Sequence, residues 1–147
     1  MTTNEQSPAG HAELATLLVR LSRRVNGVFA QASGRHGLTA TQARMLCILA
    51  EQPRGMSELA GLLGVEKAGI TGLVDRAERR DLVERTPMPG DRRATSVRLT
   101  TAGKQAAVGV HNEICAELEG LASELPAPER ERLGRSLARI LVRSEHS

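Results

Sequence analysis

The stretch GDRRATSVRLT at residues 90–100 differs from the helical patterns around it. A glycine and three charged residues lead into residues 94–99, where Val97 and Leu99 alternate with Ser96 and Arg98. A period of two is typical of a half-buried strand, so we predict that residues 94–99 form the second strand of a hairpin. The first strand is predicted at residues 82–86 and the loop at residues 87–93.

Helical periodicity dominates the rest of the chain. Apolar residues recur every three or four positions, which predicts amphipathic helices. These are expected at about residues 11–33, 39–51, 57–63, 67–80 and 101–125, and from about residue 128 onward. Thr39 and Gln42 match a capping box, while Gly34 and Gly64 are expected to end the helices that precede them. The pattern predicts a mainly α (α+β) fold.

The two helices predicted within residues 56–80 have the spacing of a helix-turn-helix. Ala60 offers a small side chain where the helices cross, Gly64 permits a left-handed turn, and Ile70 and Leu73 would fill the interface. Such helix pairs also occur as simple packing units. A pair followed directly by a basic hairpin is instead typical of a winged helix-turn-helix, so we predict a DNA-binding unit at about residues 39–100.

Composition excludes several classes of function. Phe29 is the only aromatic residue among 147, so the chain cannot stack several bases of a single strand, whereas its net charge of +3 permits duplex binding. No GxSxG, phosphate-loop or HExxH motif is present, so no enzyme and no cofactor are predicted. Cys47 and Cys115 form no CxxC pair, and no apolar run approaches roughly 18 residues. We therefore expect a cytoplasmic protein with no membrane contact.

The outer helices have apolar faces that a small central unit cannot cover. Two interpretations remain open: a partner subunit covers these faces, or the helices form an intramolecular bundle. The N-terminal residues 1–10 are polar and are expected to form a flexible tail. Residues 11–147 are predicted to form a single winged-helix domain.

The segments VDRAERRDLVER (residues 74–85) and DRRATSVRLTTAGK (residues 91–104) resemble the MarR family of bacterial transcription regulators. The resemblance implies a homodimer built by terminal helices, here at about residues 11–33 and 101–145. Each subunit would offer one winged helix to a pseudo-palindromic site, with the recognition helix in the major groove and the wing tip in the minor groove. The implied function is a transcription regulator, in the first place a repressor released by a small-molecule effector.

Candidate DNA contacts come from helical geometry and from the resemblance. The apolar stripe of the recognition helix faces inward, which leaves its opposite face for DNA. By resemblance, Arg93 enters the minor groove, Asp91 orients it and Arg92 contacts phosphate; the two arginines could exchange roles, and a merely solvated loop is the alternative. The predicted DNA-binding residues are Arg54, Ser57, Lys67, Ala68, Gly69, Thr71, Gly72, Arg76, Asp91, Arg92 and Arg93. Arg54 and Ser57, at the start of the helix before the recognition helix, are candidate phosphate contacts.

The resemblance also implies a cleft for a small aromatic or phenolic ligand between the dimerisation helices and the winged domain. The candidate residues by position are Arg20, Arg24, Phe29, His36, Met45 and His111. His111 and Cys115 share one helix face, but two donors do not make a metal site, so none is predicted. The alternatives are a winged helix for protein–protein contact, an architectural DNA binder, and a metal- or redox-sensing regulator of the same fold.

Overall fold

The computed structural model describes residues 8–88 and 90–145, with side chains at residues 13–88, 90–91 and 93–143. Within these residues the chain forms six helices and three strands. In chain order they are α1 (Pro8–Arg35), α2 (Ala40–Glu51), β1 (Arg54–Gly55), α3 (Met56–Leu63), α4 (Lys67–Arg79), β2 (Val83–Met88), β3 (Asp91–Leu99), α5 (Thr101–Leu121) and α6 (Ala127–Glu145). The mainly α (α+β) prediction is confirmed.

The described chain forms two compact units, which divide between Ile114 and Cys115. The N-terminal unit holds α1 to α4, the sheet and most of α5. The C-terminal unit holds the end of α5 and α6. The predicted single domain at residues 11–147 stays a prediction, and residues 1–7 of the predicted tail lie outside the described residues.

Local signals placed most helix ends correctly. The Thr39 hydroxyl accepts a hydrogen bond from the Gln42 backbone amide, and the Thr39 backbone amide donates one to Gln42 Oε1, so the predicted capping box is confirmed. Gly64 ends α3 in the left-handed conformation, with φ of 66°. Thr100 caps α5, because its hydroxyl accepts a hydrogen bond from the Gly103 backbone at 3.0 Å.

The predicted end of α1 at Gly34 is wrong. The helix continues to Arg35, and Gly37 supplies the left-handed turn with φ of 69°. The Ser33 carbonyl accepts hydrogen bonds from the backbones of His36 and Leu38, which closes the helix end. The start at Pro8 is three residues earlier than expected, since proline fits a first helical turn.

The predicted loop at residues 87–93 is wrong at both ends. Strand β2 continues to Met88 and β3 begins at Asp91, so residues 89 and 90 alone separate them. Pro87 pairs with Thr95 while Met88 pairs with Asp91, which leaves residues 92–94 as a bulge in β3. We call this hairpin, residues 83–99, the wing.

A third strand was not predicted. Arg54 and Gly55 pair antiparallel with Val97 and Ser96, so the strand order is β1-β3-β2. A strand of two residues is too short to show an alternating pattern. It also lies directly before a helix, so no sequence signal predicts it. The pairing places the entrance to α3 against the base of the wing.

The core of the N-terminal unit joins the helices to the sheet. Side chains that are almost completely buried come from α2, α3, α4, the wing and α5. The largest are Met45, Leu46, Leu59, Val74, Val83, Val97 and Val110. This packing holds the recognition helix and the wing to one common base.

Candidate nucleic-acid interface

Helix α4 is amphipathic in the sense that a recognition helix requires. Its apolar stripe of Ile70, Leu73, Val74 and Ala77 is buried. The opposite surface exposes residues that are mostly small or basic. These are Lys67, Ala68, Gly69, Thr71 and Arg76, with Gly72 half-exposed.

Backbone hydrogen bonds close the turn before α4. The backbone amide of Gly64 donates to Ala60 and Gly61, and that of Val65 donates to the Ala60 carbonyl at 3.0 Å. Ala60 is almost completely buried, as expected for a small residue at a helix crossing. The two helices therefore form the predicted helix-turn-helix.

Arg85 of β2 connects the wing to α4. Its guanidinium binds the Asp75 carboxylate at 2.6 Å and the Glu78 carboxylate at 2.9 Å. The hydrogen bond to Asp75 is the main reason why the pKa of Arg85 is raised, and burial opposes it. The sequence prediction missed this residue, although its place in a strand directly after VDRAERR was a usable signal.

Arg54 is placed differently from the prediction. It lies in β1 rather than at a helix start, and its side chain is only 14% exposed. The guanidinium binds Glu51 of α2 at 3.0 Å and Glu58 of α3 at 2.6 Å. Its Nε is buried without a hydrogen-bond partner among the described atoms. Two carboxylates therefore bind the guanidinium that was predicted to contact DNA phosphate. Ser57, the other phosphate candidate, is exposed in the first turn of α3.

The wing tip exposes a charged turn. Gly90 has φ of 83°, and the Asp91 carboxylate accepts a hydrogen bond from the Arg93 backbone amide at 3.0 Å. Asp91 therefore holds the backbone at Arg93 rather than the guanidinium. The Arg93 side chain is exposed. Arg92 begins the bulge, and its side chain lies outside the described residues.

The six candidate ligand residues occupy different surroundings. Arg20 and Arg24 are exposed on α1, and Met45 is completely buried in the core. His36 bonds Glu113 at 2.7 Å, and the Phe29 ring lies under the Arg44 guanidinium at 5.0 Å. His111 lines a cavity of about 390 Å³ together with Cys47, Ile48, Ala50 and Glu51.

Among the side chains described, at residues 13–88, 90–91 and 93–143, no three of His, Cys, Asp or Glu converge as a metal site would require. No helix in the described part of the chain combines the length and apolarity needed to cross a bilayer.

Comparison with known proteins gives consistent matches. A family model described as "MarR family" matches residues 36–94. The repressor NicR of Pseudomonas putida is 36% identical over 62% of this chain and 58% of its own length, so the chain spans less than two thirds of NicR. The repressor YetL of Bacillus subtilis is 34% identical over 79% of this chain and 74% of its own length.

A solved structure adds a likeness in three dimensions. It is a cysteine-to-serine mutant of MarR from Escherichia coli, complexed with operator DNA. Its TM-score is 0.72 at 27% identity, with 88% of this chain and 94% of that chain covered. The relatives and the similar fold are therefore consistent with a winged helix-turn-helix formed by α3, α4 and the wing.

Proposed function

The chain belongs to the MarR family of transcription regulators, and from this membership we propose that it is a homodimeric repressor that binds a pseudo-palindromic DNA duplex and is released by a small-molecule effector. As a member of this family it is a regulator and not an enzyme. The observation that carries the proposal is α4, which buries its apolar stripe and exposes small and basic residues beside a basic wing. A helix with this surface fits the major groove, and an exposed Arg93 suits the minor groove.

The experiment that tests the proposal has two steps. The DNA retained by the purified protein from its own genome is sequenced, and binding to the recovered duplex is then measured against random duplex at rising salt. A repressor keeps a preference for its operator as salt rises, because base contacts do not depend on counterion release. If random DNA competes equally at physiological salt, the proposal is wrong.

The effector part of the proposal rests on the cavity beside His111. A volume of about 390 Å³ lies within the range of small-molecule sites. Glu51 lines the cavity and also binds Arg54, which in turn binds Glu58 of α3. A ligand that displaces Glu51 would therefore disturb the contact that fixes the start of the helix-turn-helix.

A series of hydroxybenzoic acids provides a direct test of this cavity. We expect one or more of them to release the operator from the wild type and to raise its midpoint of thermal unfolding, because binding to the folded state stabilises it. Ala50→Leu, which fills the cavity from a partly exposed position, should abolish the release while operator binding remains. Release that is unchanged in this variant would place the effector elsewhere.

A further inference from the structure

The arginines of α4 and the residues after it have different partners. Arg79 donates to the Asp75 carbonyl at 3.4 Å, Arg80 donates to the Gly37 carbonyl at 2.7 Å, and Arg85 binds two carboxylates. The Arg76 side chain makes no hydrogen bond or ion pair with any described residue, and it is exposed. Intramolecular contacts thus leave this guanidinium available to a partner molecule.

The Arg76 side chain lies over Gly72. The Arg76 Nη1 atom is 3.4 Å from the position that a Cβ would take on Gly72. Side chains on a helix lean toward its N-terminus, so the guanidinium lies one turn before its own Cα, over bare backbone. The guanidinium therefore lies toward the N-terminal half of α4. This is the part of a recognition helix that reaches base edges in helix-turn-helix docking.

The neighbours of Arg76 cannot do the same chemistry. Ala68, Gly69 and Gly72 have no side-chain hydrogen-bonding group, and the Asp75 carboxylate is held by Arg85. The exposed Thr71 has one hydroxyl, which cannot form two parallel hydrogen bonds to one base. Lys67 is a single charged point at the first residue of α4, which suits phosphate. A planar guanidinium instead matches the two acceptors O6 and N7 that guanine presents in the major groove.

Resting on the DNA-binding function proposed above, we propose that Arg76 reads a guanine in each half-site. Base specificity in α4 then depends mainly on this arginine.

The test uses the operator recovered from genomic DNA. Each guanine of a half-site is replaced in turn by 7-deazaguanine, which removes the N7 acceptor and keeps base pairing, and each G·C pair by A·T. We expect the wild type to lose about 5- to 150-fold in affinity when one particular G·C pair is replaced, and part of that loss with 7-deazaguanine. Arg76→Ala should bind all these duplexes with no preference at that pair.

Lys67→Ala is the matched control, since it removes a cation from the same helix. It should weaken binding to every duplex by one common factor and reduce the salt slope by about 1. Arg76→Ala should keep the midpoint of thermal unfolding of the wild type, since its guanidinium binds no described residue. A preserved midpoint would separate the loss of base reading from a loss of folding.

Three outcomes decide the question. Loss of preference at a single base pair in Arg76→Ala supports the proposal. A uniform loss over all duplexes overturns it and makes Arg76 a phosphate contact, and an unchanged preference overturns it as well. If the wild type itself shows no preference for any duplex, the DNA-binding function proposed above fails with it.

Discussion

Gly103 lies where the start of α5 comes very close to the backbone before the wing. A Cβ on this glycine would lie 1.9 Å from the carbonyl oxygen of Leu82, which no side-chain movement can relieve. The same carbonyl accepts a hydrogen bond from the Thr100 backbone at 3.1 Å. The start of α5 therefore packs directly against the backbone that connects α4 to the wing.

We predict that Gly103→Ala lowers the free energy of unfolding by about 1–3 kcal/mol, as overpacking of a rigid site does. Urea unfolding followed by circular dichroism measures the change. Gly120→Ala in the same helix is the control, because no atom lies within 4 Å of its added Cβ. Gly120→Ala should keep or raise the stability, because alanine favours a helix interior more than glycine does. An equal loss in both variants would mean that the close approach to Leu82 is not the cause.

Arg93 is the exposed arginine at the wing tip. Its backbone is held by Asp91, but its side chain contributes no described contact to the fold. Arg93→Ala should therefore weaken operator binding and reduce the salt slope by about 1, with the midpoint of thermal unfolding unchanged. Anisotropy titrations at several salt concentrations measure this. A lower midpoint would show that the wing tip is structural.

At the scale of elements, Arg85 fixes α4 against the wing. Arg85 is 28% exposed and its partners are more open, so its two ion pairs are partly screened by solvent. The direct contribution to stability is therefore small, about 0–1 kcal/mol. We expect a larger contribution to the proposed DNA binding, because the pairs hold α4 and the wing to each other.

Arg85→Ala should weaken operator binding much more than it lowers stability. Arg98→Ala is the matched control, since Arg98 binds Glu84 at 2.6 Å within the wing and leaves α4 untouched. Both variants should unfold within about 1 kcal/mol of the wild type. Equal affinities of the two variants for the operator would contradict an orienting role for Arg85.

Glu113 connects α5 to the end of α1. Its carboxylate bonds His36 at 2.7 Å and also pairs with Arg35. The hydrogen bond from His36, followed by the charge of Arg35, lowers the pKa of Glu113 below its ordinary value of 4.5. A lowered pKa in the folded state means that the contact stabilises the fold above pH 4.5 and loses this effect as the pH falls through the folded pKa.

Glu113→Gln should therefore have a lower midpoint of thermal unfolding than the wild type near neutral pH. The difference should shrink below pH 4.5 and disappear at lower pH, where both side chains are neutral. Scanning calorimetry over a series of acidic buffers measures the difference. A gap that stays constant down to pH 2 would show that the lost stability is not electrostatic.

At the scale of the whole molecule, the terminal helices leave large apolar residues exposed. In α1 these are Leu14, Leu17, Leu18, Val19 and Leu21, and in α6 they are Leu133, Leu137, Ile140, Leu141 and Val142. Apolar faces of this extent usually mark a protein interface. A second copy of the chain is the partner in the proposed function.

Leu17→Glu should convert a dimer into a monomer, because it places a charge in the centre of an apolar face. Light scattering after gel filtration should then show half the mass of the wild type. Leu62→Glu is the control, since Leu62 is 53% exposed on α3 and belongs to the helix-turn-helix. A wild type that is already monomeric at micromolar concentration would exclude the dimer.

The parts of the fold that short segments encode were predictable from the sequence. The capping box at Thr39, the left-handed turn at Gly64 and the buried stripe of α4 each depend on residues a few positions apart. Hydrogen bonds and helical periodicity act over that distance, so the pattern alone determined a helix-turn-helix followed by a hairpin.

Tertiary structure decided what depends on distant residues. Arg54 was assigned to phosphate from its place in the chain, yet pairing of β1 with β3 brings its guanidinium between Glu51 and Glu58. The close approach at Gly103 needs Leu82 from another element, and the availability of Arg76 follows from the partners of Arg79, Arg80 and Arg85. Charge and helical position identify which side chains are able to bind DNA, but competing contacts inside the fold determine which of them remain free to do so.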